Sequence, residues 1–238
     1  MIHDAPVPGP DEVLHFLGSE AAHAGYAGRD GATPRVEVVE THMSWVFLVN
    51  GHVMKLKKPV RYPFLDFSTL EARRASCREE VRLNSRLAPG IYRGLMAVQW
   101  FNGQLILRPE ADASEAVART VEWLVWMKRL PRARMLDHLL AQDGVDAASI
   151  DALVAVLAGF YRGTSRSDMD PGAYLTRFER EQAISRELLL RPQFNLRRID
   201  EALDRADGAL MRSRPLLRSR AAGGRIVDGH GDLRPEHE

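Results

Sequence analysis

Two strand–turn–strand signals, each closed by an Asn-Gly pair, constrain this chain more than any other feature in it. The first reads Trp45-Val-Phe-Leu-Val, Asn50-Gly51, His52-Val-Met-Lys-Leu-Lys, and the second reads Leu95-Met-Ala-Val-Gln-Trp-Phe, Asn102-Gly103, Gln104-Leu-Ile-Leu-Arg. Asn-Gly adopts the positive φ values of a two-residue hairpin turn, whose twist matches that of the strands it joins. An alternating segment at 36–41 supplies a further strand. Between the hairpins a helix is predicted, opening at the capping-box pattern Ser68-x-x-Glu71 and closing near Leu87-Ala-Pro89. With a short lead-in helix over 11–24, these elements predict a small antiparallel sheet lobe with one long helix over residues 1–110.

Beyond residue 110 the expected character is helical. A helix is predicted from Asp112-x-x-Glu115 through Val121, Trp123, Leu124, Trp126, Met127 and Leu130 to Pro131, with others over 135–140, 150–161, 174–190 and 199–217. The expected whole is an α+β, two-lobed chain, with a helical lobe over 111–238 and the lobes meeting near 107–113.

The helix between the hairpins carries an informative polarity. Glu80 shares a stripe with Cys77, Asn84 and Leu87, whereas Glu79 lies beside Arg82 and Arg86. Glu80 is therefore predicted to face inward, where a carboxylate needs a cation. Lys55 and Lys57 are the candidates, because residues two apart on a strand stand on one face. The competing reading is that Lys55, Lys57, Lys58 and Arg61 form a solvated basic face.

The apolar pair Ile226-Val227 leads into Gly229-His230-Gly231-Asp232-Leu233-Arg234-Pro235-Glu236-His237-Glu238. A short strand running into such a turn presents one aspartate at a rigid strand end, which suits a general base. This run resembles the catalytic loop of the aminoglycoside phosphotransferase-like kinases, a branch of the protein-kinase-like fold. The resemblance extends to Glu40-Thr-His-Met-Ser-Trp-Val-Phe-Leu, Val53-Met-Lys-Leu-Lys-Lys-Pro and Phe64-Leu-Asp-Phe-Ser-Thr-Leu-Glu, which look like the amino-terminal lobe of an uncharacterised bacterial branch of that family.

The resemblance implies an ATP-dependent phosphotransferase acting on the hydroxyl of a small molecule, with Mg2+ as the metal. Asp232 takes the place of the base, with His230 beside it in the motif. A strand lysine paired with Glu80 would anchor phosphates; Lys55 is preferred because its apolar predecessors match the family's strand, with Lys57 the alternative. In the absence of a Gly-x-Gly-x-x-Gly loop, the turn containing Thr41 and Ser44 would cover the phosphates, and the base would meet backbone near 107–110. His237 stands where the family has a metal-holding Asn, and imidazole is a poor ligand for hard magnesium. The chain also stops before the strands that carry the family's second metal-holding Asp, so the helical lobe and its magnesium site are expected to be incomplete. The alternative function is accordingly a nucleotide-binding domain without turnover. A third reading, a metal-dependent phosphoesterase, rests on the crowding of Asp228, His230, Asp232, Glu236 and His237.

Charge and composition narrow the partners. The formal net charge is +1, and the Arg-rich stretch from Arg197 to Arg225 is interleaved with Asp200, Glu201, Asp204 and Asp207, the pattern of a solvated helix face rather than of a nucleic-acid surface. A single cysteine, Cys77, excludes an intramolecular disulfide framework and fits a reducing compartment. No charge-free apolar run is long enough to span a bilayer, so the expected setting is cytoplasmic, without membrane partners.

Overall fold

The computed structural model describes residues 6–26, 35–62, 65–194 and 198–230. They divide into two compact units, one running to Val156 and the other from Leu157 onward.

The first unit is built on a six-stranded antiparallel sheet. Its strands are β1 (Val36–Glu40), β2 (Ser44–Val49), β3 (His52–Lys57), β6 (Tyr92–Phe101), β7 (Gln104–Pro109) and β8 (Arg119–Lys128), in the order β1-β2-β3-β8-β6-β7. Two-residue strands β4 (Arg61–Tyr62) and β5 (Leu65–Asp66) pair with each other ahead of helix α2 (Leu70–Asn84). Both expected hairpins form, and the asparagines take the positive φ that their turns require, 42° at Asn50 and 49° at Asn102.

Pairing fixes which side chains share a face. Lys55 lies opposite Val46 on β2 and Val125 on β8, and Lys57 lies opposite Ser44. One face therefore carries Lys55, Lys57, Leu95, Ala97, Trp123 and Val125, and α2 covers part of it through Cys77. The other face carries Phe47, Val49, Met54, Leu56, Met96, Val98 and Leu124, covered by Val13 and Leu17 of helix α1 (Pro10–Leu17) and by Tyr26. A 3-10 turn at Ala21–Tyr26 follows α1, and the ring of its fully buried His23 lies 5.9 Å from that of His52, tilted by 46°.

The predicted helix over 112–131 is not there: its core is β8, the strand between β3 and β6. Both faces of this central strand are covered, so Trp123, Val125 and Met127 on one side and Leu124 and Trp126 on the other merge into an unbroken apolar run over 123–127. Such a run has no period of two to betray it. The chain consequently does not leave the sheet at 107–113, and the sheet unit reaches beyond the expected boundary at 110 to include helix α3 (Leu136–Ala141).

Helix α4 (Ala147–Gly163) leads into the second unit, which holds α5 (Pro171–Leu189) and α6 (Ile199–Ala222). Asp170 caps α5 by accepting hydrogen bonds from the N–H groups of Gly172 and Ala173. Helices α5 and α6 pack together, with Leu175 and Leu203 buried, and Arg186 on α5 bonds both Asp204 and Asp207 on α6. Acids of the Arg-rich stretch are thus paired, Asp204 and Asp207 with an arginine of α5 and Glu201 with Arg198 of the stretch itself. The architecture is α+β, an antiparallel sheet unit followed by a helical region. Among the described residues no helix is long and apolar enough to cross a membrane.

Candidate functional site

Helix α2 begins at Thr69, whose side chain accepts a hydrogen bond from the N–H of Ala72 at 3.1 Å. Ser68, expected as the cap, instead donates its hydroxyl and its N–H to Asp66 Oδ1. From that start the helical period lays Arg73, Cys77, Glu80 and Asn84 along one stripe facing the sheet. Every one of them has a partner there: Arg73 bonds Glu122, the Cys77 thiol faces the Trp123 carbonyl, and Asn84 donates to the Tyr92 hydroxyl at 3.1 Å.

Glu80 is the centre of the arrangement. Lys55 Nζ donates to Glu80 Oε1 at 3.0 Å, and Lys57 Nζ donates to Glu80 Oε2 at 2.5 Å. The Glu80 side chain is 12% exposed, that of Lys57 7% and that of Lys55 31%. Burial by itself would raise the Glu80 carboxyl, but the two ammonium groups outweigh it and hold its pKa below the usual range. Glu79, one residue earlier, is exposed and bonds Arg82. Two cations on one carboxylate leave the cluster with a surplus positive charge. Lys57 also sits 5.1 Å from the centre of the Phe67 ring. Burial pushes the neighbouring Cys77 thiol up to about 12, with Lys57 opposing and Glu80 reinforcing the shift, so it is not a nucleophile at neutral pH.

The turn before β2 lies at the Lys57 end of this face. Thr41 N–H and the Thr41 hydroxyl both donate to the Ser44 carbonyl, at 2.8 and 3.0 Å, and Ser44 N–H donates back to Thr41 Oγ1 at 3.0 Å. The Thr41 proton therefore closes the turn, and Ser44 is buried opposite Lys57. Lys58 N–H donates to the Met43 carbonyl, tying the turn to the end of β3.

At the opposite end of the same face lies an open hollow of about 540 Å³, lined by Leu48, Asn50, Glu37 and the segment from Arg129 to Arg132 with Met135. Leu48 pairs with Val53, two residues before Lys55, which puts the hollow roughly 7 Å along the strand from the lysine. Arg129 bonds Glu37 across it at 3.1 Å. The stretch 107–110, expected near a nucleotide base, is elsewhere: Leu107 is on edge strand β7, and Glu110 accepts from Arg74 and Arg78 of α2.

In the second unit Val227 forms a single antiparallel bridge with Arg166, and Asp228 N–H donates to the Ser165 carbonyl at 3.3 Å. Gly229 packs so near the Tyr161 ring that an added Cβ would lie 3.2 Å from it. His230 is half-buried beyond this strand end. Asp232, Glu236 and His237 lie outside the described residues. Among the described residues no group of three or more His, Cys, Asp or Glu side chains converges on a metal position.

Arg73 and the hollow were missed from sequence. Arg73 stands seven residues before Glu80 on the same stripe, a signal as good as the one that picked out Cys77, but a solvated partner for an arginine is the default assumption. The hollow had no such signal, because its walls come from two distant stretches of chain.

The chain is a distant homologue of proteins from mycobacteria. The uncharacterised proteins Rv2004c of Mycobacterium tuberculosis and Mb2027c of Mycobacterium bovis are each 30% identical to it over 207 residues, covering 84% of this chain. The match spans only 38% of the length of those relatives. No protein-family model matches the chain. No solved structure matches it.

Proposed function

We propose that the sheet unit binds the polyphosphate of ATP and that the protein is a phosphotransferase directed at a small-molecule hydroxyl. The observation that carries this reading is the sharing of Glu80 between Lys55 and Lys57 beside an open hollow on the same sheet face. A carboxylate holding two ammonium groups keeps them extended and leaves net positive charge for an anion, and the hollow, bounded by Leu48, Leu130 and Pro131, suits a flat base. The finer assignment to a protein-kinase-like fold rests on the likeness of the Lys55, Glu80 and His230-Gly-Asp232 segments to the aminoglycoside phosphotransferase-like kinases.

In the reaction so proposed, the acceptor hydroxyl oxygen bonds to the γ-phosphorus as the bond to the β–γ bridging oxygen breaks. ADP departs with that oxygen, and the hydroxyl proton passes to the Asp232 carboxylate. Lys55 holds phosphate oxygens in line for attack. Magnesium, when bound, would supply charge neutralisation at the phosphates; His237 is the sequence candidate to hold it, with an imidazole that is a poor ligand for so hard a cation. A nucleotide-binding domain without turnover is the second reading, favoured by His237 where the resembled family has Asn.

The test is transfer from radiolabelled ATP to a panel of hydroxylated metabolites and aminoglycosides, with Asp232→Asn alongside. Transfer that drops by a hundredfold or more in Asp232→Asn supports the phosphotransferase. ATP binding with no transfer to any acceptor supports the second reading, and undiminished transfer by Asp232→Asn overturns the assignment of the base.

A further inference from the structure

Two lysines on one carboxylate is one more than phosphate anchoring requires, and the surroundings of the two differ. Lys57 is enclosed by Glu80 and the buried Phe67 ring, whereas nearly a third of the Lys55 side chain is open to solvent. They also bond different oxygens of Glu80.

Building on the polyphosphate reading above, we propose that the pair divides the work: Lys57 is a positioning residue that holds Glu80, and Lys55 is the side chain that meets the phosphates. An ammonium has three donors and a flexible stem, so Lys55 can turn one or two of them outward without leaving Oε1. Lys57 has no such freedom. Its nitrogen lies between Oε2 and the Phe67 face, and an anion reaching it would have to displace packed side chains. With a single lysine, the phosphates and Glu80 would compete for one ammonium. With two, Glu80 keeps its orientation through Oε2 while Lys55 redistributes its bonds to the ligand.

The division has a direct test on the whole protein. Lys55→Met, Lys57→Met and Lys57→Arg are compared by calorimetric binding of ATP and of inorganic tripolyphosphate. The Glu80 carboxyl is titrated by NMR with 13C-labelled glutamate, its signal assigned through Glu80→Gln. Lys55→Met is expected to weaken both ligands by tenfold or more while Glu80 still titrates below the ordinary glutamate range. Lys57→Met is expected to raise the Glu80 titration clearly above that of Lys55→Met. Lys57→Arg, which keeps the charge should the methionine variant fail to fold, is expected to leave Glu80 depressed and ligand affinity within about threefold of wild type. Equal loss of affinity in the two methionine variants, with Glu80 responding only to Lys55→Met, overturns the proposal. If the wild-type protein binds neither ATP nor tripolyphosphate while the titrations still separate the lysines, the polyphosphate reading and the role of Lys55 fall, and the holding role of Lys57 stands.

Discussion

Arg73 on α2 grips Glu122 on β8 with two donors, Nε at 3.0 Å from Oε2 and Nη2 on Oε1, while its Nη1 donates to the Phe67 carbonyl at 2.9 Å. The pair anchors the first turn of the helix to the central strand, as Asn84 and Tyr92 anchor its last turn. Glu80 is aimed because the helix bearing it is pinned at both ends. Both members of the pair are largely buried, so removing one leaves an uncompensated charge, a loss of about 3–5 kcal/mol. Glu122→Gln is expected to lower the thermal unfolding midpoint strongly, and Arg73→Met/Glu122→Leu to recover much of the loss. A midpoint unchanged in Glu122→Gln would falsify the anchoring role.

Glu79 and Glu80 are adjacent but belong to different environments. Glu80→Gln is expected to cost roughly 3 kcal/mol, because it strands the buried Lys57, whereas Glu79→Gln, losing only an exposed pair with Arg82, is expected to stay within about 0.5 kcal/mol. Chemical denaturation of the two variants decides it. The pH dependence has a definite sign: the Glu80 pKa is depressed in the folded state, so its stabilisation is present above the ordinary glutamate pKa and lost as pH falls below it.

A second acid-sensitive element lies on the other face of the sheet. His23 Nε2–H donates to the Leu17 carbonyl at 2.7 Å, which leaves buried His23 Nδ1 without a partner, as is His52 Nε2. Burial, then His23, then Arg93 push the His52 pKa down to about 4, and burial also lowers that of His23. The unfolded chain therefore takes up protons first, and stability is expected to fall as pH drops below about 6.5, with the His52 contribution continuing toward about 4 at up to about 1.4 kcal/mol per pH unit. Denaturation midpoints across that range should flatten in His52→Gln; an unchanged slope rules out His52 as a source.

The start of α2 gives a smaller, cleaner contrast. Thr69→Ala is expected to cost about 1 kcal/mol, the usual loss of an N-cap. Ser68→Ala removes only an exposed local bond to Asp66 and is expected to cost less than half as much. Thermal melts giving the reverse order would return the cap to Ser68.

What the sequence by itself determined was local. Asn50 and Asn102 set the hairpins because few residues other than glycine accept their positive φ, and the 3.6-residue period turned Glu80 inward and Glu79 outward within a single helix. His23 and His52, by contrast, are far apart in sequence, and nothing in either neighbourhood announces a buried ring pair. Only tertiary structure decided that 119–128 is a strand, because covering both faces erases the alternation by which a strand is read. It also decided that both lysines reach Glu80, since that meeting depends on how α2 packs over β6 and β8, next to β3. The hollow beyond Lys55 is likewise a product of assembly: Leu48 and Arg129 meet only because β3 pairs with β8, a contact between stretches of chain far apart in sequence.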